Sequence, residues 1–412
     1  QQAAAPESLT IWGDTQNKDV WSQIISDYQA LRPNVSIKYQ NFDPSSYDSA
    51  LLNALASGNG PDIFMIDNRQ LLENLSRIIP VDPQQLNTSQ LSNLFPDVVS
   101  QDFIINGQIY ALPLNMDTLA MFYNSGLFNA AGVAQAPSTW GNIEALVPVF
   151  KKADAKGQIN QSAVAIGGSS LSVNHAPGIL SLLMMQYGTQ MANFGTNGYQ
   201  ATFAESQGQT GGSPGLNAFN FYLGFSTPSN ADYTWNDNSN NSFDSFAAGK
   251  TAMIFGYDSD ITAIQNKNPY LNFKVGAMPQ LNLNNPVNYA SYQGLVVSKQ
   301  SKASAWAWDF IIFLTTSEQE ETAYLTAQSQ LPALRSLIAK GINDPSTSIF
   351  NRQALTAQSW LMPNQSQTEA YLSDTIKNVL TGLLNPSDAL NQAESQINQL
   401  GQQLSQTQNQ PQ

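Results

Sequence analysis

Three short apolar strands alternating with two amphipathic helices in the first 66 residues narrow the possible folds of this chain more than anything after them. Residues 9–12 (Leu-Thr-Ile-Trp) read as a buried strand that stops at Gly13-Asp14. Residues 18–31 carry Val20, Trp21, Ile24, Ile25, Tyr28 and Leu31 at three- and four-residue spacing, the period of one buried helix face. Residues 35–39 alternate with period two, and residues 45–56 place Tyr47, Leu51, Leu52 and Leu55 on one side of a second helix. Residues 62–66 are apolar enough to be a strand covered on both faces. This alternation implies right-handed crossovers and a parallel sheet. Ligands of such sheets gather at the carboxyl ends of the strands. Those ends are Trp12-Gly13-Asp14 and Asp67-Asn68.

The 412 residues suffice for two domains, each able to bury a core. A net charge of −13, with 17 Lys and Arg in no run, argues against nucleic acid, whose phosphates require basic side chains. The absence of cysteine removes disulfides, thiol catalysis and Cys-based zinc sites, and the one histidine, His175, rules out a His-rich metal site within one chain. No cofactor is implied. The Gln-Gln-Ala-Ala-Ala-Pro start reads as a mature or trimmed terminus of the kind left after processing or lipidation.

Residues 111–140 read as an extended entry with Pro113, an apolar run at 118–123, a turn at Asn124-Ser125-Gly126, and a short helix with Gly132 as its left-handed exit. Thr139 then caps a helix that begins at Trp140 by accepting from the N–H of Asn142. Further on, Gly167-Gly168-Ser169-Ser170 lacks the Lys-Ser/Thr of a nucleotide loop and reads as a plain strand-to-loop turn. Residues 179–187 form an apolar helix in which Met184 and Met185 belong to the core, and residues 188–214 are a polar surface excursion. The last helix spans 386–404, and the Gln-rich tail after Leu404 is expected to be disordered.

The wording of residues 113–140, "P…T-L-A-M-F-Y-N…L-F…A-G…P-S-T-W", resembles the domain-crossing segment of the extracellular solute-binding proteins of ABC importers, of the maltose-binding-like, sugar-binding type. "S-G-x-x-P-D-I" at 57–63, "F-A-x-G-K-x-A-M" at 246–253 and "A-W-x-F-x-x-F-L" at 307–314 are similar to other phrases of that family. Gly141 and Asn142 stand where the family usually has acidic residues. The resemblance implies a two-lobed α/β periplasmic-binding-protein-like fold, with a parallel-type mixed sheet in each lobe and a three-segment hinge. On this basis lobe one takes residues 1–114 and returns at 257–298, while lobe two takes 115–256 and the C-terminal helices and tail of 299–412. The crossings then fall near Asn115, Gly256 and Lys299.

The resemblance further implies a monomeric lipoprotein or periplasmic receptor that captures a small solute, a mono- or oligosaccharide, closes on it by hinge motion, and delivers it to an ABC permease. Sugar hydroxyls call for planar donors and acceptors, and sugar C–H faces call for flat rings. Loops expected at the binding cleft carry that mixture: Trp12 with Asp14, Asp67 with Asn68, Asn115 with Asp117, Trp235 with Asp237, Tyr257 with Asp258, Tyr292 with Gln293, and Trp360. Trp235, in a polar loop, reads as a stacking residue, whereas His175 reads as a surface or cap residue, with a place lining the cleft as the alternative. Two other classes fit the same residues. A glycoside hydrolase would use a pair among Asp14, Asp67 and Asp117, and a cell-surface carbohydrate receptor or adhesin would use the cleft without transport.

Overall fold

The computed structural model describes residues 5–195, 198–206 and 212–408. The chain divides into two compact units. The first comprises Gln1–Asp117, Ala290–Leu355 and Ser359–Met362, and the second Thr118–Tyr289, Thr356–Gln358 and Pro363–Gln412.

In the first unit the strand Glu7–Gly13 pairs in parallel with Val35–Asn41 on one side and Ile63–Asp67 on the other. Leu9, Ile11, Ile63 and Phe64 are fully buried, which is what the apolar runs require. The helix between the first two strands, Val20–Leu31, buries Trp21, Ile24 and Tyr28 and leaves Leu31 exposed. The next, Pro44–Ala56, starts where the Asp43 carboxylate accepts from the N–H of Ser45 and where Pro44 fits the first turn. Beyond Ile63–Asp67 the sheet is completed by Gln293–Ser298, which runs antiparallel to it and also to Ile78–Ile79 and Leu112–Pro113. The sheet is therefore mixed, and the amino end of Gln293–Ser298 lies beside the carboxyl ends of the parallel strands, with Gln293 opposite Asp67.

The second unit has a five-stranded sheet in the order Lys152–Ala153, Ile159–Val164, Thr251–Gly256, Ala120–Asn124, Phe273–Gly276. Within this sheet, among the described residues, only Ile159–Val164 and Thr251–Gly256 pair in parallel. In the 118–140 stretch the expected turn at Asn124-Ser125-Gly126 is the start of the helix Ser125–Ala130, capped by Asn124, while Gly132 has φ +70° and the Thr139 hydroxyl accepts from the N–H of Asn142 at 3.2 Å to start Trp140–Phe150, both as read. The apolar helix begins earlier than expected, at Ala176, and every residue from Ala176 to Met185 is buried. The excursion contains a hairpin, Ala192–Gly195 with Gly198–Ala201. The final helix runs from Pro386 to Gln408, so the expected disorder does not begin at Leu404; residues 409–412 lie outside the described residues.

Two of the expected boundaries are corrected. The chain does not leave the second unit at Gly256, because the next strand, Phe273–Gly276, returns to the same sheet beside Ala120–Asn124; the change of unit comes at Tyr289/Ala290. Residues 299–355 belong to the first unit, because the helices Ser304–Thr316 and Glu318–Gln328 pack on Val20–Leu31. Tyr28 donates to Asp309 at 2.8 Å there, its ring meets Phe310 edge-on at 5.1 Å, and Arg32 pairs with Asp309 at 3.1 Å. The third passage between units lies within residues 355–363; Thr356–Gln358 falls to the second unit because Ala357–Gln358 pairs with Asn288–Ser291 at Asn288 and Tyr289.

Candidate functional site

In the first unit, side chains at the carboxyl end of the sheet divide into an outer, partly exposed set and a buried one. Trp12 leaves Glu7–Gly13 partly exposed, with its ring 4.5 Å from Phe42. The backbone behind it is fixed by Tyr47, whose hydroxyl lies 3.2 Å from the Trp12 carbonyl and 3.0 Å from that of Met65. Asp14 follows. Burial pushes its carboxyl above the ordinary range, against the lowering effect of its own backbone and of the Gln293 side chain, whose amide donates to it at 3.4 Å. Gln293 is held at its backbone, where the Asn115 side chain accepts its N–H at 2.8 Å and its carbonyl accepts from Leu114 N–H at 2.8 Å. Asn115 is thus a buried brace, while Trp12, Asp14, Gln293 and Asp117 keep partial exposure.

Of the other expected residues of this unit, Asn68, Tyr292 and Trp360 are buried, and Asp67 keeps partial exposure while engaged by Arg69. Asp67 accepts from the backbone of Arg69 and pairs with its guanidinium at 2.8 Å, while Gln70 closes the capping box on the Asp67 N–H. Asn68 is fully buried; its amide donates to Asp102 at 2.8 Å and to Ser359 at 3.0 Å, and its carbonyl oxygen accepts from Tyr292 N–H. Tyr292 donates its hydroxyl to Asp102 at 2.6 Å, and Trp360 is 5% exposed. The centre of this network, Asp102, escaped the sequence reading. Burial raises its carboxyl to about 6, even though Tyr292, Asn68 and Ser359 all donate to it. A signal for it exists: Val98, Val99, Asp102 and Phe103 are the buried residues of the helix Asp97–Phe103, so an acid stands one turn after Val98 on an apolar face.

In the second unit the two parallel strands, Ile159–Val164 and Thr251–Gly256, lead at their carboxyl ends into residues 165–175 and 257–260. Trp235 does not belong to an exposed site. It is fully buried, and its indole N–H donates to Ser172 Oγ at 3.0 Å. The polar residues around it are partners of the loop rather than of solvent. Asp237 accepts from Ser169 N–H at 2.7 Å, Ser169 Oγ at 2.6 Å and Ser172 Oγ at 2.7 Å, which clamps residues 169–172. Tyr257 is 6% exposed and meets the His175 ring edge-on at 4.8 Å, so it backs the imidazole instead of presenting its own face. Asp258 keeps partial exposure, and burial raises its carboxyl to about 6.

Among the described residues no cluster of three His, Cys, Asp or Glu side chains could hold a metal ion, and no helix is long and apolar enough to cross a membrane. What the outer set offers is planar hydrogen-bonding groups and one indole, a combination suited to a polar solute with apolar faces.

A family model described as "Bacterial extracellular solute-binding protein" matches residues 12–321. A curated binding protein of Brucella abortus (strain 2308) is 23% identical over 303 residues, 71% of this chain and 68% of that protein. Among solved structures, the cyclic alpha-maltosyl-1,6-maltose binding protein from Arthrobacter globiformis superposes with a TM-score of 0.77 at 17% identity, covering 96% of this chain and 99% of its own. The sugar-binding protein MalE from Xanthomonas citri gives 0.76 at 18% identity, with 98% and 100% covered. At these identities the structural likeness is one of fold.

Proposed function

The chain belongs to the family of bacterial extracellular solute-binding proteins, and from that premise we propose that it captures a neutral mono- or oligosaccharide and delivers it to an ABC-type membrane permease. It works as a single chain on the outer face of the membrane or in the periplasm, and it does no chemistry on its cargo. The observation that carries this reading is the outer set of the first unit, where the partly exposed Trp12, Asp14 and a Gln293 amide that donates to Asp14 come at the carboxyl end of one sheet, the Gln293 backbone fixed by Asn115. Fixed planar amides and carboxylates suit hydroxyls, and an indole suits the C–H face of a pyranose. The sugar-binding names of the two solved relatives support the same solute class. The proposed contacts are Trp12, Asp14, Asp117 and Gln293 on the first unit.

The test is a thermal-shift screen of neutral sugars against amino acids and polyamines, followed by calorimetric titration with maltotriose. A ligand at about 100 times its Kd stabilises the folded protein by about 2.7 kcal/mol, a readily measured rise in Tm. Trp12→Ala is expected to weaken binding by a factor of about 5 to 30, the equivalent of an aromatic contact worth about 1–2 kcal/mol. A response confined to amino acids or polyamines would refute the sugar reading. Release of reducing ends from an oligosaccharide would turn the carboxylates into a hydrolase pair instead.

A further inference from the structure

The loop of residues 14–19, between the strand Glu7–Gly13 and the helix Val20–Leu31, carries the proposed contact Asp14 and is held from far along the chain. Asn17 is exposed, and water could satisfy its backbone groups. A side chain satisfies them instead. Gln328 Nε2 donates to the Asn17 carbonyl at 2.7 Å, and Gln328 Oε1 accepts the Asn17 N–H at 3.2 Å. The two residues stand 311 positions apart. One amide thus pairs with both backbone groups of one residue, as a neighbouring strand would.

Gln328 is the last residue of the helix Glu318–Gln328 and is 6% exposed. Ser329, with φ 53° and ψ 48°, turns the chain away directly after it. A buried amide is costly unless its ends are paired, and Asn17 pairs both. The same helix supports the loop a second time. Its Tyr324 meets the Trp21 ring edge-on at 5.7 Å, and the Trp21 indole N–H donates to Thr15 Oγ1 at 3.3 Å. Thr15 is itself buried, and its hydroxyl lies 2.8 Å from that of Tyr39. Gly13, before Asp14, belongs to the sheet, and the holding points at Thr15 and Asn17 come just after it. Asp14 therefore has fixed backbone on both sides, and its carboxylate receives the Gln293 amide at 3.4 Å.

We infer that Gln328 is a positioning residue for sugar capture: it sets the backbone of residues 14–17 in advance, so that Asp14 meets the sugar with no loop left to order. A loop that must be ordered on binding gives up affinity. Gln328 acts through Asp14 and not by touching the sugar. The inference rests on the sugar-capture reading above and adds to it the residue that presets the contact loop.

The experiment uses the full chain and maltotriose. Gln328→Met keeps the length and helix-forming tendency of the side chain and removes both hydrogen bonds. It is expected to weaken binding by a factor of about 3 to 10, the scale of re-ordering one or two side chains on binding. In an Asp14→Ala background the same substitution should change affinity by less than a factor of about 2, since the contact it positions is gone. A merely structural residue would show an equal effect in both backgrounds. The second readout is amide hydrogen exchange, taken on wild-type protein whether or not the variant folds: the Asn17 N–H is expected to be protected before any sugar is added. Normal affinity in Gln328→Met, an equal loss in both backgrounds, or an unprotected Asn17 N–H in the ligand-free wild type overturns the inference and leaves the sugar reading standing. A wild-type protein that binds no maltotriose while amino acids or polyamines stabilise it overturns both.

Discussion

Trp235→Ala is expected to destabilise the ligand-free protein by about 3–5 kcal/mol, the cost of emptying a large buried aromatic site. The sequence alone suggests the opposite, since Tyr233, Asn236 and Asp237 surround this tryptophan with polarity. In the structure Asp237 is engaged by Ser169 and Ser172, and Asn236 donates to the Tyr233 hydroxyl. Trp235 is fully buried, its backbone N–H donates to the Phe225 carbonyl at 3.0 Å, and its indole N–H donates to Ser172 Oγ at 3.0 Å. One residue earlier, Thr234 Oγ1 accepts the N–H of Ala163 at 2.7 Å and ties the segment to Ile159–Val164. Truncation therefore leaves a cavity and also removes one of the partners that hold Ser172. For a unit of this size the melting transition should fall by about 10 °C, and Trp235→Phe should lose less because it keeps most of the volume. Differential scanning calorimetry on both variants checks this. A Trp235→Ala transition within a degree of wild type would show that the indole is not core.

Local pattern carried the fold wherever one face or one cap decided the outcome. The Val20–Leu31 helix, the Thr139 cap and the Gly132 exit are all visible in the sequence because each depends on residues within a turn of one another. The division of residues 257–355 was not, because it depends on partners far away in sequence. Phe273–Gly276 pairs with Ala120–Asn124, and Asp309 meets Tyr28 and Arg32 across more than 270 positions. The candidate site shows the same contrast. Composition identified loops rich in aromatic, amide and acidic residues, but it could not separate groups facing solvent from groups facing a buried partner. Asn68, Tyr292 and Asp237 have the chemistry of a sugar site and use it to hold the protein together. His175 could be read as a cap, a surface residue or a cleft residue, and its contacts with Asp260 and Tyr257 were not legible because both lie more than 80 positions away.

The buried Asp102 network makes the second large effect one of pH. The Asp102 carboxyl is raised to about 6 from an ordinary 3.8, chiefly by burial, while the hydroxyl of Tyr292, the amide of Asn68 and the hydroxyl of Ser359 oppose that rise. Between those two values the folded protein binds more protons than the unfolded chain, so stability falls as pH rises. The stabilisation is fully present below about 3.8 and has been lost once pH passes about 6. At about 1.4 kcal/mol per unit the whole window is worth on the order of 3 kcal/mol. Asp102→Asn isolates this contribution from other raised groups such as Glu321. The amide oxygen can accept from Tyr292 and Asn68 while its NH2 faces the Ser359 hydroxyl, so the variant resembles the protonated acid at every pH. Its stability relative to wild type should therefore climb by about 3 kcal/mol from pH 4 to pH 7 and level off above that. Asp102→Ala should instead cost several kcal/mol throughout, because it takes the acceptor from the buried Tyr292 hydroxyl and one acceptor from the buried Asn68 amide, each at about 1–3 kcal/mol, and one from the half-buried Ser359 hydroxyl. Urea unfolding of the three proteins at four pH values gives the comparison. A difference between Asp102→Asn and wild type that stays flat from pH 4 to pH 7 would mean that the carboxyl titrates alike in the folded and unfolded chains, and that its burial does not govern its ionisation.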